Sequence, residues 1–308
     1  MSPPPPSRSA VAVDIGGSSV RVGWLGSPTV ARRGLDRETS VSHLLAVVTD
    51  ALKECGCESP ERVVVAVPTY VEEDGRLLDC PSLPQLTGVP LSRLLRQHLP
   101  AGEVDVRPDL SCAALGEARL GRGRGVRRLL AVALGTGANA AAVVDGALVE
   151  TAYGCFGDAG HVLVEPAGPV CPCGGRGCLE AVCSGWALNA AARQLGLGDA
   201  TQLLRAAEAG RADARAVVTR AGVALGRAIS TWSVLVWPDV VAVAGGVAAA
   251  GEALLAPARA ELHRVAPPYV GDRITVEIAE LGAHATLVGA LLLASHDEAG
   301  VRAWAGAQ

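Results

Sequence analysis

The sequence predicts an α/β fold built from two related halves, and three observations support this prediction. Apolar runs of strand length alternate with segments whose apolar residues recur at helical spacing. A strand, a Gly-rich turn and a second strand follow one another near residue 14 and again near residue 135. The chain of 308 residues, 50% of them hydrophobic, is long enough for two ordinary domains with sizeable cores.

In the first half, the segments AVAVDIGG and VRVGWLG predict two short strands around a glycine turn. VSHLLAVVTDALKEC predicts a helix, and RVVVAVP predicts another buried strand. The Pro-rich start, MSPPPPSRSA, predicts a disordered tail over residues 1–10, ahead of an N-terminal domain over residues 11–118. A C-terminal helix, 285–308, is a candidate for completing that domain.

The second half, 119–284, repeats the pattern. RRLLAVALGTGANAAAVVDGALV predicts two strands joined at a Gly-rich turn, AVVTRAGVALGRAISTWSVLV predicts a long helix, and DVVAVAGG predicts a strand that runs into glycines. We expect the halves to meet near 118–125, where GEARLGRGRGVRR brings glycines and arginines together. The sequence therefore predicts two α/β domains.

Composition excludes several classes of protein. The 27 Lys+Arg residues against 31 Asp+Glu residues give a net charge of −4, and no basic block is available for nucleic acid. No export signal and no membrane-spanning apolar stretch is present. Nine cysteines form an odd set, of which Cys55, Cys57, Cys80 and Cys112 are scattered as small buried hydrophobes would be. A reducing cytoplasm is the expected location.

Three Gly-rich turns at strand ends are candidates for binding phosphate, because glycines let backbone N–H groups approach an anion closely. The residues concerned are Asp14, Gly16, Gly17, Ser18, Gly135, Thr136, Gly137, Gly245 and Gly246. Each turn taken alone is better explained as a simple tight turn. Lys53 is the only lysine, which excludes a Walker A loop, so amides, hydroxyls and Mg²⁺ would have to hold the phosphates. Asp14 is then the candidate anchor for Mg²⁺ or its waters.

The most specific pattern lies in the segment 157–180, GDAGHVLVEPAGPVCPCGGRGCLE. His161, Cys171, Cys173 and Cys178 follow the spacing H-x9-C-x-C-x4-C, and glycines between them allow a short loop to fold back. Four such ligands predict a closed, structural Zn²⁺ site. The alternative is cysteines packed as small apolar residues. We interpret the flanking Cys155 and Cys183 as extra buried thiols rather than as spare ligands.

The motifs VAVDIGGSSVRVG, LGTGANAAAVVDGALV, GDAGHVLVEPAGPVCPCGGRGCLEAVCSG and VVAVAGGV occur in that order. In this order and spacing they resemble the ROK family (repressors, open reading frames and kinases) of the actin/hexokinase-like superfamily. The resemblance covers about residues 11–294. It implies two RNase H-like α/β domains around an interdomain cleft, a zinc-binding loop, ATP on the C-terminal side and a sugar between the domains. A homodimer is the expected assembly.

The resemblance also implies roles for individual residues. It implies zinc at the same four residues, with His161 and Glu180 contacting the sugar, so that the zinc loop forms one wall of the sugar pocket. The family's catalytic base is an aspartate in an E-N-D-A-N segment. Here VRPDLSCAALGEA keeps it as Asp109, which would accept the proton of the attacking hydroxyl. An ordinary surface acid is the alternative for Asp109.

Several positions depart from the family pattern. Pro108 replaces a sugar-binding asparagine, Ser82 replaces the asparagine of its segment, and Asp158 replaces a glutamate in the sugar site. AVPTYVEEDG lacks the usual G-P-G turn, and GTGANAA lacks the glycines that normally follow GTG. Lost polar groups change which hydroxyls a site accepts. We therefore predict that glucose is a poor substrate.

Two functions follow from these observations. The first is an ATP-dependent kinase acting on a primary hydroxyl of a hexose or hexose-like substrate. An aminosugar or a C7 cyclitol, of the kind such kinases serve in secondary metabolism, is favoured over plain glucose. The alternative is a catalytically weak or silent ROK-type sugar-binding or sensing protein. A DNA-binding repressor is disfavoured because the first phosphate loop begins at Asp14, which leaves no room for a helix-turn-helix domain. Asp14 and Asp109 together favour the kinase, because a pure binder needs neither a metal anchor nor a base.

Overall fold

The computed structural model describes residues 10–57, 59–295 and 297–308 and confirms the α/β class. The strands are β1 (Ala10–Ile15), β2 (Ser19–Trp24), β3 (Ser27–Gly34), β4 (Arg62–Val67), β5 (Glu103–Pro108), β6 (Arg128–Leu134), β7 (Ala138–Val144), β8 (Ala147–Leu148), β9 (Val240–Ala244) and β10 (Thr275–Ile278). The helices are α1 (Val41–Glu54), α2 (Leu91–His98), α3 (Asp109–Leu120), α4 (Leu179–Val182), α5 (Gly185–Gln194), α6 (Ala200–Glu208), α7 (Ala212–Val236), α8 (Glu252–Val265), α9 (Pro268–Gly271), α10 (Ala285–Ala294) and α11 (Glu298–Gly306).

Contacts divide the chain into two compact units. The first unit contains the chain up to Gly121, the segment Leu148–Phe156 and the segment Ala283–Gln308. The second unit contains Arg122–Ala147 and Gly157–Gly282. The C-terminal stretch predicted as one helix forms two, α10 and α11. Both belong to the first unit, although the whole second unit precedes them in the chain.

The two units repeat one sheet topology. The first sheet has the order β3-β2-β1-β4-β5, in which β1 is antiparallel to β2 and parallel to β4. The second has the order β8-β7-β6-β9-β10, in which β6 is antiparallel to β7 and parallel to β9. Because β1 and β6 occupy the same place in the two sheets, the twofold repeat of strand, Gly-rich turn and strand in the sequence reflects a repeat of structure.

Burial explains why these segments form central strands. Every residue of β1 is buried, and β4 is buried from Val63 to Val67, as expected for strands covered on both faces. Helix α1 begins after Ser40, whose side chain accepts a hydrogen bond from the backbone N–H of His43 (3.2 Å), and its apolar side packs into the core.

Helix α10 completes the core of the first unit by packing against α3 and β1. The two helices approach closely at Gly289, where a Cβ atom would clash with the backbone carbonyl oxygen of Cys112. A glycine is required there because only a hydrogen fits between the helices.

The parallel strands bring the candidate site residues of the first unit to one edge of its sheet. Asp14 of β1 is level with Ala66 of β4, and Ala66 is level with Arg107 of β5. Ligands of open α/β sheets bind at the carboxyl ends of parallel strands. Asp109, which follows β5 directly, therefore lies at the edge where ligand binding is expected.

The predicted strands and the two long predicted helices are confirmed, as β1, β2, β4, β6, β7 and β9 and as α1 and α7. The predicted tail lies outside the described residues except for Ala10. That residue opens β1 because it pairs with Arg62 of β4. None of the nine cysteines, all of which lie in the described residues, forms a disulfide, and Cys55, Cys57, Cys80 and Cys112 are buried as predicted. In the part of the chain that the structure describes, none of the helices combines the length and the apolar character that crossing a bilayer requires.

Candidate active site

The candidate site residues divide between the two units. The first unit contains Asp14, Gly16, Gly17, Ser18 and Asp109. The second unit contains Gly135, Thr136, Gly137, Asp158, His161, Cys171, Cys173, Cys178, Glu180, Gly245 and Gly246.

Asp14 is buried and forms an ion pair with Arg21. The two residues are direct partners in the antiparallel pairing of β1 with β2. Arg21 Nε donates to Asp14 Oδ2 (2.9 Å), Arg21 Nη2 donates to the same oxygen, and Arg21 Nη1 donates to the backbone carbonyl of Ala283 (2.6 Å). Arg21 therefore compensates the buried charge of Asp14 and fixes that carboxylate in place.

The loop after Asp14 is an exposed turn at the sheet edge. The backbone N–H of Gly16 donates to the carbonyl of Ser19 (2.9 Å), which closes the turn between β1 and β2, and Gly17 and Ser18 are exposed. A Cβ atom at Gly17 would lie 2.9 Å from the Cβ of Ser82. Ser82, one of the predicted departures from the family pattern, thus lies directly against the candidate phosphate turn.

Asp109 is the first residue of α3. Its Oδ1 accepts a hydrogen bond from the backbone N–H of Leu110 (2.6 Å), and part of the residue reaches solvent. Burial of the carboxyl group, together with the negative charge of Asp14, raises the pKa of Asp109 to about 7. A carboxylate with a pKa near neutrality is well suited to accept a proton at physiological pH. Burial and the charge of Asp109 also raise the pKa of the Cys112 thiol one turn further along α3.

The segment 148–156 packs against the start of α3. Ser111 Oγ donates to the carbonyl of Gly154 (3.0 Å), and Arg107 Nη1 donates to Glu150 Oε1 (2.9 Å). Arg107 Nε also donates to Asp105 Oδ2 (2.9 Å). This loop is therefore attached to the strand and the helix that flank Asp109.

The Gly-rich turns of the second unit lie side by side. Gly245 has φ of +95°, and a Cβ atom there would lie 2.9 Å from the backbone nitrogen of Gly135. The turn after β9 therefore contacts the turn after β6, as expected because β6 and β9 are parallel neighbours in the sheet. Thr136 and Gly246 are exposed at these turns. The pair of turns offers clustered backbone amides, an arrangement that suits phosphate.

His161, Cys171, Cys173 and Cys178 come together as the spacing predicts. Their ligand atoms all lie within 4.8 Å of one another. His161 Nδ1 is 3.5 Å from Cys171 Sγ, and Cys173 Sγ is 3.7 Å from Cys178 Sγ. A tetrahedral Zn²⁺ with bonds of about 2.3 Å to sulfur holds two sulfur ligands about 3.8 Å apart. The donor set and these distances therefore fit zinc.

Cys155 and Cys183 are buried thiols outside this cluster of four ligands. Cys155 Sγ donates to the carbonyl of Ala152 (3.1 Å), and burial raises the pKa of Cys183 to about 12. Neither sulfur belongs to the group of ligand atoms that lie within 4.8 Å of one another, so neither residue is a ligand of this cluster.

His161 presents its two ring nitrogens in different directions. Nδ1 faces the cysteine cluster, whereas Nε2 lies 3.6 Å from Oδ2 of Asp158, an exposed acid. If Nδ1 binds a metal, Nε2 carries the ring proton and is free to donate to an acceptor oxygen. Asp158 is within reach to orient that ring.

Glu180 connects the zinc loop to the turn after β6. Its Oε2 accepts a hydrogen bond from the backbone N–H of Ala138 (3.0 Å), and a Cβ atom at Gly137 would lie 2.5 Å from the same oxygen. The backbone N–H of Gly185 donates to the carbonyl of Gly135 (2.7 Å) and that of Trp186 donates to Thr136 (3.1 Å). Hydrogen bonds thus connect Glu180, the predicted sugar ligand, and the helix that follows it to the predicted phosphate turn at Gly135.

Helix α7 supports the zinc loop from its other side. Arg220 forms a two-pronged ion pair with Glu165 (2.6 and 3.0 Å), and Arg227 Nη1 donates to the carbonyl of Val164 (3.0 Å). Arg227 and Arg264 also both bind the buried Glu261, which holds the pKa of that carboxyl at about 2. The loop between His161 and Cys171 is therefore held to the core through α7.

A comparison with protein families decides the classification. The model of the ROK family matches residues 10–297. The chain belongs to the ROK family. The expected resemblance is thereby confirmed over nearly the whole sequence.

Individual ROK relatives are similar over most of their length. The chain is 30% identical over 289 residues to a glucokinase of Thermotoga maritima, covering 86% of this chain and 91% of that protein. It is 36% identical over 251 residues to a kanosamine kinase of Amycolatopsis mediterranei, covering 78% of each. A ROK glucokinase of Streptomyces griseus, solved with glucose and AMPPNP, superposes with a TM-score of 0.76 at 25% identity, covering 92% of this chain and 98% of that one.

Sequence reasoning missed several residues of this ROK protein. Arg21 could have been found, because it is a lone charge in an apolar strand and a short turn places it opposite Asp14. Asn139, whose Oδ1 accepts from the backbone N–H of Ala159 (3.0 Å), carries no comparable signal. The pair of Arg107 with Glu150 joins residues 43 positions apart and has none either.

Proposed function

We propose that this ROK protein is an ATP-dependent kinase that phosphorylates a primary hydroxyl of a hexose-like substrate. The observation that carries the proposal is Asp109, an acid with a pKa raised to about 7 at the carboxyl edge of the first sheet. Few functions other than proton transfer need a partly accessible carboxyl group with its pKa near neutrality.

In this reaction, Asp109 accepts the proton of the acceptor hydroxyl as that oxygen bonds to the γ-phosphorus of ATP. The bond between the γ-phosphorus and the bridging oxygen breaks, and ADP leaves with that electron pair. The amides of the turns at Gly135 and Gly245 bind phosphate oxygens. These groups position the reactants, which is the main contribution proteins make to phosphoryl transfer.

The residues present also fit the expected cofactors. Both hydrogen bonds from Arg21 end on Oδ2 of Asp14, and Oδ1 is the oxygen that we assign to water bound to Mg²⁺. Mg²⁺ would neutralise charge on the phosphates. The cluster of His161 and three cysteines would hold Zn²⁺ as a structural ion, because four protein ligands leave no open position.

The acceptor is proposed to be an aminosugar or a C7 cyclitol in preference to glucose. His161 and Glu180 are the proposed hydroxyl ligands of the zinc loop. Pro108 and the short, exposed Asp158 would form fewer hydrogen bonds with ring hydroxyls than the asparagine and glutamate that they replace. The similarity to a kanosamine kinase at 36% identity supports an amino-substituted ring.

The second candidate, a sugar-binding protein with weak or no catalysis, is favoured by one observation. Arg21 already pairs with the charge of the Asp14 carboxylate and occupies its Oδ2, which weakens that carboxylate as an anchor for Mg²⁺. The raised pKa of Asp109, by contrast, favours a base and hence the kinase.

A screen of ATP consumption tests the proposal. Purified protein with Mg²⁺ and ATP is offered glucose, glucosamine, kanosamine and C7 cyclitols, and products are checked by mass. We expect an altered ring to exceed glucose in kcat/KM by about tenfold or more. Phosphorylation of none of these acceptors, together with measurable sugar binding by calorimetry, would favour the silent binder. Glucose equal to the best altered ring would favour a plain glucokinase.

The cellular setting is part of the proposal. Nine cysteines without a disulfide support a reducing compartment, the cytoplasm. The homodimer stays a prediction, which light scattering of the purified protein tests.

A further inference from the structure

The turn at Tyr153 and Gly154 has an unusual residue at its tip. Tyr153 has φ of +59° and Gly154 has φ of +68°. The backbone N–H of Cys155 donates to the carbonyl of Ala152 (3.2 Å), which closes a four-residue turn of the type I′ kind. Such turns favour Asn, Asp or Gly at the first central position, because other side chains are strained at positive φ.

Packing gives no evident reason for an aromatic residue at this position. Tyr153 keeps 45% of its surface exposed. Trp237, another aromatic residue at positive φ (+49°), differs because its ring packs on Tyr269 with centroids 5.7 Å apart. An exposed ring on a strained backbone points to a functional constraint.

The turn is fixed beside the residue proposed as the base. The backbone N–H of Val71 donates to the carbonyl of Tyr153 (3.2 Å), and Ser111 Oγ of α3 donates to the carbonyl of Gly154 (3.0 Å). A Cβ atom at Gly154 would lie 3.3 Å from Cδ of Pro108. Gly154, the residue after Tyr153, therefore lies against Pro108, and Pro108 directly precedes Asp109.

The surroundings suit an apolar face of the acceptor. Pro108 is buried and has no amide side chain that could bond a hydroxyl, and tyrosine combines an aromatic body with a polar tip. The C–H face of a six-membered sugar or carbocycle can pack on such a ring, while the tyrosine hydroxyl stays free to bond a ring substituent.

We propose that Tyr153 is a specificity-determining residue that contacts the acceptor ring beside Asp109. The inference rests on the proposed kinase function and adds to it an aromatic ring that packs on the acceptor next to Pro108 and Asp109. Glu150 contributes indirectly, because its ion pair with Arg107 (2.9 Å) attaches the same loop to β5.

The test compares four variants with the wild type. Tyr153→Asn and Tyr153→Gly remove the ring and suit positive φ, so they should fold at least as well. Tyr153→Phe keeps the ring, and Trp237→Asn is the matched control. The measurements are kcat and KM for kanosamine and for glucose, KM for ATP, and the melting temperature.

We expect Tyr153→Asn and Tyr153→Gly to lower kcat/KM for the preferred acceptor by about tenfold and to change the kanosamine-to-glucose ratio. KM for ATP and the melting temperature should not worsen, and Trp237→Asn should leave the ratio unchanged. Tyr153→Phe should retain most of the activity. A ratio and an acceptor KM that stay at wild-type values in both ring-deleted variants would overturn this inference alone. A wild type that phosphorylates neither acceptor would instead overturn the proposed kinase function and the inference with it.

Discussion

Replacing Asp109 by asparagine should abolish phosphoryl transfer and, in the same molecule, stabilise the fold at alkaline pH. Asparagine keeps the size of the side chain and an oxygen that can accept from the Leu110 N–H. It cannot accept the proton of the acceptor hydroxyl. We expect kcat to fall by at least about a hundredfold, the lower end of typical general-base contributions.

The effect on stability follows from the raised pKa. The pKa of Asp109 rises from 3.8 to about 7 on folding, so the folded state binds its proton more tightly than the unfolded state. Wild-type stability is therefore lost as pH rises between these two values. At 1.36 kcal/mol per pH unit the total cost is about 4 kcal/mol, and about 2.5 kcal/mol of it falls between about pH 5 and about pH 8.

The assay is calorimetric unfolding of both proteins at several pH values. The stability of Asp109→Asn relative to the wild type should grow by about 2.5 kcal/mol from about pH 5 to about pH 8. Asp50→Asn, a change of an exposed acid on α1, should show no such trend. In parallel, wild-type kcat/KM should fall below about pH 7 as the base becomes protonated.

Two results would refute this reasoning. A stability difference that does not change with pH would show that the carboxyl group of Asp109 is not destabilised by burial and by Asp14. A variant that keeps more than about a tenth of the wild-type kcat would remove the assignment of Asp109 as the base.

Further predictions concern the second unit. About one zinc ion per chain should copurify, and Cys178→Ser should lose it and lower the melting temperature before ATP affinity falls; metal analysis that finds no zinc would contradict the site. Glu261→Gln should cost about 3 kcal/mol of unfolding free energy at neutral pH, because Arg227 and Arg264 hold the Glu261 pKa at about 2. That cost, measured by urea unfolding, should shrink as pH falls from about 4.5 toward 2, whereas a constant cost would contradict the ion pairs. Gly245→Ala, which forces a side chain onto φ of +95°, should raise KM for ATP more than KM for the sugar in steady-state assays.

The central strands could be predicted because their signal is local. Runs such as RVVVAV in β4 are continuously apolar and end at turn residues. Strands β3 (SPTVARRG) and β5 (EVDVRP) are absent from the sequence-based prediction. They lie at the edges of their sheet, where polar and charged residues interrupt the apolar pattern.

The candidate site shows the same division between local and distant signals. The four metal ligands lie within a short stretch of chain, from His161 to Cys178, so their spacing carries the information. The ion pair of Asp14 with Arg21 depends on strand register, and the attachment of the 148–156 loop depends on contacts with α3 that no short window contains. Long-range packing, not local preference, decides these features.

During synthesis, the first unit stays incomplete until the last segment of the chain has been made. Its helix α10 packs on α3 and β1 but belongs to the segment Ala283–Gln308, which emerges from the ribosome after the second unit. At a translation rate of about 5–20 residues per second, the apolar face of α3 and β1 stays without α10 for roughly 10–30 s after Gly121 has been made. The second unit can complete its own sheet during that interval, because all five of its strands, β6 to β10, precede α10. We therefore expect the second unit to fold while α3 and β1 of the first still lack α10, which makes their apolar face a candidate for chaperone binding during synthesis.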